Sequence, residues 1–157
     1  MDTQLTTLSS FIIDEQRRLG QQASGEFTGL LNDISIACKS IAALVNKGAL
    51  AGVLGVAGSE NAMGDAQKKM DLIANDLFIN ALQHNGHCAG MASEELDEIL
   101  TLPEGKIRGS YLVTFDPLDG SSNMDINIDV GAIFSILKAP KSGDDPTAED
   151  FARPGVE

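Results

Sequence analysis

The sequence predicts an α/β protein, because helical and strand-like segments both occur along it. Three stretches carry apolar residues at the spacing of an amphipathic helix, at residues 3–18, 24–47 and 71–83. Three other stretches are short and have the apolar and β-branched composition, or the alternation of apolar and polar residues, that is typical of strands. They are residues 88–92, 111–115 and 129–138. Helices that precede and separate strands favour a fold in which helices pack on a sheet.

Capping residues set the expected helix ends. Ser24 is a good N-cap for the second helix, and Glu26 then lies in the first turn, where the helix dipole favours negative charge. Lys47 and Gly48 are expected to end that helix, a cation in the last turn followed by a glycine. Asp71 is a plausible N-cap of the third helix.

A glycine-rich segment separates the second and third helices. Residues 52–64 contain four glycines, so regular structure is not expected there. A loop of this length in a compact domain is usually mobile or functional. If it closes over a site, it would carry Asp65 inward.

Length and composition indicate a single globular domain. The 157 residues can bury a core, and no uninterrupted apolar run approaches the ~18 residues of a transmembrane helix. The N-terminus lacks the basic region of a secretory signal. Cys38 and Cys88 are too few to form a disulfide framework and are expected to be reduced thiols. We therefore expect a cytoplasmic protein.

The formal net charge of −12 limits the partners of this chain. Nucleic acids and anionic membranes are poor partners for such an acidic surface. A phosphorylated substrate would also be repelled. Divalent cations are the obvious means of overcoming that repulsion.

Residues 115–123, Phe-Asp-Pro-Leu-Asp-Gly-Ser-Ser-Asn, form the segment with the clearest chemical character. Pro117 restricts Asp116 to extended backbone, so the strand is expected to turn at Asp116. Asp116 and Asp119 thus end a strand and precede the free backbone N–H groups of a Gly-Ser-Ser turn. Carboxylates bind hard cations and such N–H groups bind anions, a combination that suits a metal-bridged phosphate. An ordinary Asp-rich turn is the structural alternative.

A second acidic pair, Glu94 and Glu95, follows the strand at residues 88–92. Neighbouring strands lie about 4.8 Å apart, so four carboxylates converge if the two strands are adjacent. Two unit charges at 4 Å repel by roughly 4 kcal/mol at an effective dielectric near 20, so cations or protonation are required. Oxygen-only ligands favour Mg²⁺ or Mn²⁺ over zinc. Taken alone, the pair also fits a solvated acidic turn.

These motifs resemble those of the class 1 fructose-1,6-bisphosphatases in their bacterial form. The resemblance rests on residues 116–123, 93–95, 68–71 and 24–31 and extends over residues 11–157. It implies the N-terminal half of a layered α/β/α sugar-phosphatase fold with a mixed sheet. Residues 1–138 would form that half, and residues 139–157 would lead toward an absent C-terminal half.

The resemblance also implies an activity and roles for individual residues. The implied activity is hydrolysis of the 1-phosphate of fructose 1,6-bisphosphate, as in gluconeogenesis or Calvin-type metabolism. It would depend on two or three Mg²⁺ ions per site, with Mn²⁺ as the alternative ion. The implied metal ligands are Glu94, Glu95, Asp116, the Leu118 carbonyl and Asp119. The implied substrate contacts are Asp119, Gly120, Ser121 and Ser122. The implied catalytic residues are Asp71 and Glu95, which would orient and deprotonate the attacking water, and Asp65, which would arrive with a mobile loop of roughly residues 49–69.

The resemblance further implies regulation by AMP and assembly into a homotetramer. The candidate AMP-binding residues are Ser24, Gly25, Glu26, Thr28 and Tyr111. Ser110 replaces the basic residue that AMP-sensitive members carry before the tyrosine. The amides at the helix start and Thr28 could still bind the phosphate, and Arg108 could reach in. The family is about twice this length, and its second half supplies the cationic grip on the second phosphate and one more acidic ligand. We therefore expect little hydrolysis by this chain alone.

Two other functions remain open at this stage. An inositol or nucleotide phosphatase of the same superfamily would share the acidic signature but not residues 24–31. A non-catalytic half-domain would bind metal or nucleotide without turnover.

Overall fold

The structure is a computed structural model that describes residues 6–19, 24–47, 56–60, 66–126, 128–140 and 144–153. Its helices are α1 (Leu8–Leu19), α2 (Glu26–Val45), α3 (Lys69–Leu82) and α4 (Ala148–Phe151). Its strands are β1 (Val56–Glu60), β2 (Ala66–Lys68), β3 (Cys88–Ser93), β4 (Leu100–Thr101), β5 (Tyr111–Asp119) and β6 (Gly131–Lys138). A 3₁₀ helix spans Ser121–Ile126.

The main sheet has four strands in the order β4-β3-β5-β6. β3 and β5 are parallel, whereas β4 and β6 each pair antiparallel with their neighbours. β1 and β2 form a separate antiparallel pair. The sheet is therefore mixed, with helices packed on it, and the predicted α/β class is confirmed.

The core lies between this sheet and the pair of helices α2 and α3. The Phe78 ring of α3 stacks on the Phe115 ring of β5, with centroids 4.8 Å apart and planes 18° from parallel. The buried apolar residues of this cluster include Leu30, Ile34, Ala37, Ile41, Met70, Ala74, Phe78, Met91, Val113 and Phe115. Because Phe115 immediately precedes Asp116, the stack fixes α3 next to the acidic end of β5.

Helix α2 is long and apolar enough, by length and composition alone, to cross a membrane. In the structure it packs on α3 and buries a stripe of residues that includes Asp33. Asp33 accepts hydrogen bonds from the Asn85 side chain at 2.6 Å and, across 2.8 Å, pairs with the His87 ring. These contacts fit the core helix of a globular domain.

The helix ends differ from those expected. α1 begins at Leu8, where the Thr7 hydroxyl accepts a hydrogen bond from the Ser10 N–H at 3.1 Å. The N-cap of α2 is Gly25, not Ser24, because the chain enters the helix through a left-handed residue with φ of 85°. α2 ends at Val45, and the Asn46 N–H bonds back to the Ala42 carbonyl, so this helix ends before Lys47.

Two further expectations of backbone structure were wrong. α3 begins at Lys69, so Asp71 lies inside the first turn and is not the N-cap. β5 does not turn at Asp116 but continues through Pro117 to Asp119, and its register with β6 shifts between these two aspartates. Such an irregularity is where a strand tolerates a proline, which cannot donate to the ladder.

The glycine-rich segment contains more regular structure than expected. Residues 56–60 form β1, although the four glycines argued against a strand. Pairing with β2 supplies the backbone hydrogen bonds that local sequence cannot predict. Within the expected mobile loop of residues 49–69, the structure also describes residues 66–69, whereas residues 49–55 and 61–65, including Asp65, lie outside the described residues.

The segment at residues 144–153 lies against the main sheet, near Gly90 of β3 and Lys138 of β6. Pro146 is buried against Gly90 and Leu112, and a side chain at Gly90 would collide with its ring. Thr147 and Asp150 form a capping box at α4. The division of the chain at residue 138 stays a prediction.

Substituting alanine for Gly109 is expected to lower the free energy of unfolding by about 1–3 kcal/mol. A Cβ at this position would overlap the backbone carbonyl of His87, just before β3. Urea denaturation would measure the loss. Gly131→Ala is the matched control, since a Cβ there meets no atom within 4 Å. Equal urea denaturation midpoints for the two variants would show that the His87 backbone can shift without loss of stability, contrary to the prediction.

Candidate metal and phosphate site

Two acidic strand ends lie side by side where the central strands β3 and β5 terminate; we call this end of the sheet the acidic edge. Ser93, the last residue of β3, is the register partner of Phe115 on β5. One residue on, the Glu94 N–H donates to the Phe115 carbonyl at 3.0 Å. Glu94 and Glu95 therefore leave β3 next to Asp116, and the expected adjacency of these two strands is confirmed.

Helix α3 brings a further acidic residue, Asp71, to the same edge. Asp71 lies in the first turn of the helix and is only 4% exposed. One turn later, Asn75 accepts a hydrogen bond from the Ser93 hydroxyl at 2.7 Å, which ties the helix to the end of β3. The positive end of the helix dipole favours a negative charge at Asp71.

Glu95 is held in the turn that follows β3. Its backbone N–H donates to the Ser93 hydroxyl at 3.3 Å, and the residue is 7% exposed. The same serine hydroxyl thus contacts both Asn75 and the Glu95 backbone. This places a buried carboxylate residue directly after the strand end.

The carboxylates at the end of β5 and the start of α3 are close enough to interact electrostatically. The pKa of Asp116 is raised, chiefly by burial and further by the negative charges of Asp119 and Asp71. The Leu118 N–H, which donates to Asp116 Oδ1 at 3.0 Å, opposes that rise. Three carboxylates from two elements therefore share one region, as the sequence predicted for Asp116 and Asp119.

A groove of about 370 Å³ runs along the sheet beside these residues. Glu94 and Asp116 line its acidic end, and Ile133, Phe134 and Ser135 of β6 line the other side. The groove is open to solvent. It gives an anionic ligand an approach to the acidic edge.

The expected phosphate-binding turn follows β5 directly. Gly120 adopts φ of 78°, a conformation that glycine reaches without strain. The Asn123 N–H closes the turn onto the Gly120 carbonyl at 2.8 Å, and the Asn123 side chain donates to the Asp129 carbonyl at 3.3 Å. Ser121 and Ser122 thus begin the 3₁₀ helix beside Asp119.

The donor set fits a hard divalent cation better than zinc. Its candidates offer only oxygen atoms, and the mutual repulsion of Asp116, Asp119 and Asp71 is of the kind that a divalent cation relieves. As the side chains stand, no three His, Cys, Asp or Glu residues in the described ranges meet closely enough to hold an ion. His87 contacts Asp33 and His84 contacts the Asn80 carbonyl, so neither joins the acidic edge.

A second pocket, of about 470 Å³, lies at the start of α2. Four of the five candidate AMP-binding residues line it: Ser24, Gly25, Thr28 and Tyr111. Glu26 accepts a hydrogen bond from the Ser110 hydroxyl at 2.7 Å, and the Gln16 amide contacts the Thr28 hydroxyl.

Sequence reasoning missed the basic residue of this pocket. Lys138 pairs with Tyr111 across β5 and β6, its Nζ 3.0 Å from the tyrosine hydroxyl and 4.2 Å from the ring centroid. The Phe27 ring packs against the Tyr111 ring, with centroids 5.6 Å apart. Arg108, which the sequence suggested could reach in, pairs with Asp145 and is not among the residues that line this pocket. Only the antiparallel register of β6 brings Lys138 to the tyrosine.

Comparison with known proteins matches this architecture to one family. The family model described as fructose-1-6-bisphosphatase, N-terminal domain, matches residues 6–157. The chain belongs to the fructose-1,6-bisphosphatase family. The predicted resemblance is thereby confirmed, and the chain corresponds to the N-terminal part of family members.

Two curated relatives bear the family name over almost the whole chain. The class 1 fructose-1,6-bisphosphatase of Halorhodospira halophila is 59% identical over 152 residues, covering 97% of this chain and 45% of the relative. A class 1 enzyme of Methylibium petroleiphilum is 49% identical over 151 residues, covering 96% and 42%. The chain thus spans about half the length of the curated relatives it matches.

Solved structures show the same fold. The holo form of Leishmania major fructose-1,6-bisphosphatase superimposes with a TM-score of 0.80 at 36% identity, covering 93% of this chain and 43% of that one. The apo form of the same protein gives 0.71 at 32% identity, covering 93% and 40%. The roles of the individual site residues stay predictions.

Proposed function

We propose that this chain supplies the metal- and phosphate-binding part of a fructose-1,6-bisphosphatase. The reaction is hydrolysis of the 1-phosphate of fructose 1,6-bisphosphate to give fructose 6-phosphate, as in gluconeogenesis. The observation that carries the proposal is the meeting of two acidic strand ends, after Ser93 and at Asp116, beside a turn rich in backbone N–H groups.

Each part of the site has a proposed task. Glu94, Glu95, Asp116, Asp119 and the Leu118 carbonyl would hold two or three Mg²⁺ or Mn²⁺ ions. When bound, these ions offset the carboxylate charges and polarise the phosphate ester as Lewis acids. Their chemistry suits an all-oxygen donor set.

The remaining residues would bind the phosphate and position water. The N–H and hydroxyl groups of Gly120, Ser121 and Ser122 would donate hydrogen bonds to the phosphate, as in other turns that open a helix. Asp71 and Glu95 are carboxylates held rigid by burial, so they are suited to orient the attacking water and accept its proton. In-line attack on phosphorus otherwise needs mainly positioning and charge neutralisation. Asp65 keeps its proposed role in completing the site.

The test compares phosphate release by this chain with release by a chimera. The chimera joins this chain to the polypeptide that the Halorhodospira relative carries beyond its match. With Mg²⁺ and fructose 1,6-bisphosphate we expect turnover by the chimera and little by this chain, because the described part carries no cationic cluster beside the acidic edge to grip a second phosphate. Equal turnover would contradict that expectation.

Substrate profiling of the same chimera separates the alternatives. Preference for an inositol phosphate or a nucleotide 3′-phosphate would indicate another member of the superfamily. Metal binding by calorimetry without hydrolysis of any substrate by the chimera would indicate a non-catalytic binding domain.

A second candidate function, AMP binding, is supported by the pocket at the start of α2. Lys138 and Tyr111 there offer a cation and a hydroxyl to a phosphate, and Phe27 adds an aromatic face. We expect Lys138→Met to weaken AMP binding about 10–100-fold in calorimetric titration of the chimera, since a charge-assisted hydrogen bond contributes about 1.5–3 kcal/mol. Lys106→Met is the control, because Lys106 lies on an exposed loop outside this pocket. Unchanged affinity in the Lys138 variant would remove Lys138 from the proposal.

The homotetramer and the cytoplasmic location remain part of the proposal for the whole enzyme. The homotetramer rests on the resemblance alone, and the cytoplasmic location rests on the sequence features described above.

A further inference from the structure

Lys138 is a long, flexible side chain at the end of a strand. Among the described residues that line the pocket at the start of α2, it is the only basic one. It is the last residue of β6 and is exposed. A lysine ammonium sits on a flexible stem, so it keeps one position only where the backbone below it is fixed. The contact of this ammonium with Tyr111 therefore depends on how the end of β6 is held.

Two hydrogen bonds hold the backbone at this point. The Ala139 N–H donates to the Ser110 carbonyl at 2.9 Å, which ties the chain to the residue before β5. The Arg153 guanidinium donates to the Lys138 carbonyl at 3.1 Å, which ties the chain to the segment at residues 144–153. The end of β6 is thus held by two other parts of the chain.

Arg153 is itself held in place by the start of α4. One oxygen of the Asp150 carboxylate accepts a hydrogen bond from the Arg153 guanidinium at 3.2 Å. The other oxygen accepts from the Thr147 N–H at 2.9 Å and from the Thr147 hydroxyl at 3.0 Å. The Thr147 N–H contributes most to lowering the pKa of Asp150, the Thr147 hydroxyl follows, and Arg153 adds to the effect. Asp150 is therefore a charged acceptor at neutral pH, and a continuous series of contacts runs from Thr147 to Lys138.

We propose that Arg153 is a positioning residue for this pocket. By fixing the Lys138 carbonyl, it keeps the Lys138 ammonium at the Tyr111 hydroxyl, where an anionic group of a ligand binds. Arg153 is not among the residues that line the pocket, so it acts through Lys138. A cation that is already held in place loses less freedom when a ligand binds, which raises the affinity. The part that concerns the ligand rests on the proposed AMP binding, whereas the positioning of Lys138 does not.

The alternative is that Arg153 only anchors its own segment. Arg108 binds the same segment near its other end, through an ion pair with Asp145. Arg153 differs from it because Arg153 bonds to Lys138 itself. Replacing each arginine by methionine therefore separates the loss of a tether from the loss of the contact with Lys138.

Tyr111 reports on the position of Lys138 because it is the only tyrosine in the chain. In NMR spectra of the chain with carbon-13-labelled tyrosine, all labelled signals come from this ring. We expect Arg153→Met to shift these signals toward their positions in Lys138→Met, and to add no shift when both substitutions are present. Arg108→Met should leave the signals near their wild-type positions. Both arginine side chains are partly exposed, so the variants are expected to fold, which a thermal melt of each verifies.

Three results would overturn the proposal. Wild-type signal positions in Arg153→Met would show that Lys138 is held without Arg153. An equal shift in Arg108→Met would show that the segment as a whole holds Lys138. An equal shift on adding Arg153→Met to the Lys138→Met protein would show that Arg153 influences the tyrosine ring by another route.

Calorimetric titration with AMP gives an independent readout on the same chain. Arg153→Met should weaken binding about 3–10-fold in the otherwise wild-type chain, the range expected for one hydrogen bond. In the Lys138→Met background it should change the affinity less than about 2-fold, because the group that it positions is gone. Equal weakening in both backgrounds would contradict action through Lys138. If the chain binds no AMP while the Tyr111 signals follow the expected pattern, the proposed AMP binding fails and the positioning role of Arg153 stands.

Discussion

Replacing Asp116 by asparagine is expected to reduce hydrolysis by the chimera about 10³-fold while making the metal-free protein more stable. The loss of activity follows because the amide carries no charge to hold a cation, and removing one electrostatic partner of a phosphoryl transition state typically costs factors of this size. Asparagine keeps the size of the side chain and an oxygen that can still accept from the Leu118 N–H.

The gain in stability follows from the pKa of Asp116. Burial, and then the charges of Asp119 and Asp71, raise that pKa, so the folded state binds this proton more tightly than the unfolded chain does. Stability from this group is therefore greatest below the ordinary carboxyl pKa and is lost as the pH rises through the raised value. The neutral asparagine removes that loss, and the pH dependence of the thermal midpoint should flatten between acidic and neutral pH.

Magnesium should reverse the order of stability. A cation that binds only the folded state stabilises it, so added Mg²⁺ should raise the midpoint of the wild-type protein more than that of Asp116→Asn. Asp14→Asn is the matched control, because Asp14 is exposed on α1 and, within the described residues, its partner is Arg17 in a surface ion pair. A variant that keeps its turnover, or one less stable than wild type without metal at neutral pH, would contradict the assigned role of Asp116.

The acidic edge shows how far sequence alone could reach. Local patterns placed Glu94 and Glu95 after one strand and Asp116 at the end of another, and both placements depend only on short-range rules. The parallel pairing of β3 with β5 was an assumption, because 22 positions separate Ser93 from its register partner Phe115 and no local signal encodes the pairing. That contact is decided by the packing of α3, through Phe78 and Asn75, against both strand ends.

The structure differs from the sequence expectations where contacts between residues distant in sequence decide the outcome. Pro117 was expected to end its strand, yet a register shift beside β6 accommodates it, and β6 is more than ten residues away in sequence. Lys138 belongs to no sequence motif, and its place in the pocket follows from its cross-strand pairing with Tyr111. Gly25 replaces Ser24 as the N-cap because the path of the chain into α2 requires a left-handed residue, which sequence spacing does not reveal.

Truncating Phe78 to alanine is expected to lower the free energy of unfolding by about 3–5 kcal/mol, the usual cost of removing a buried phenylalanine. Phe78 is fully buried, and its ring contacts Phe115 at a centroid distance of 4.8 Å in a nearly parallel stack. The substitution leaves a cavity between α3 and β5 and removes an aromatic pair that contributes beyond its buried area. Denaturant titration, with the slope checked for two-state behaviour, measures the loss.

The same substitution should also weaken metal binding, because Phe78 holds α3 on β5 and Asp71 lies on that helix two turns earlier. We expect calorimetry at a temperature where the variant remains folded to show weaker Mg²⁺ binding, and added Mg²⁺ to restore part of the lost stability. Leu72→Ala on the same helix is the control, since Leu72 is 39% exposed and its truncation should cost well below the loss at Phe78. If Phe78→Ala lost stability but bound Mg²⁺ as tightly as wild type, Asp71 would be positioned by contacts other than the Phe78–Phe115 stack, and the link between core packing and the acidic edge would be wrong.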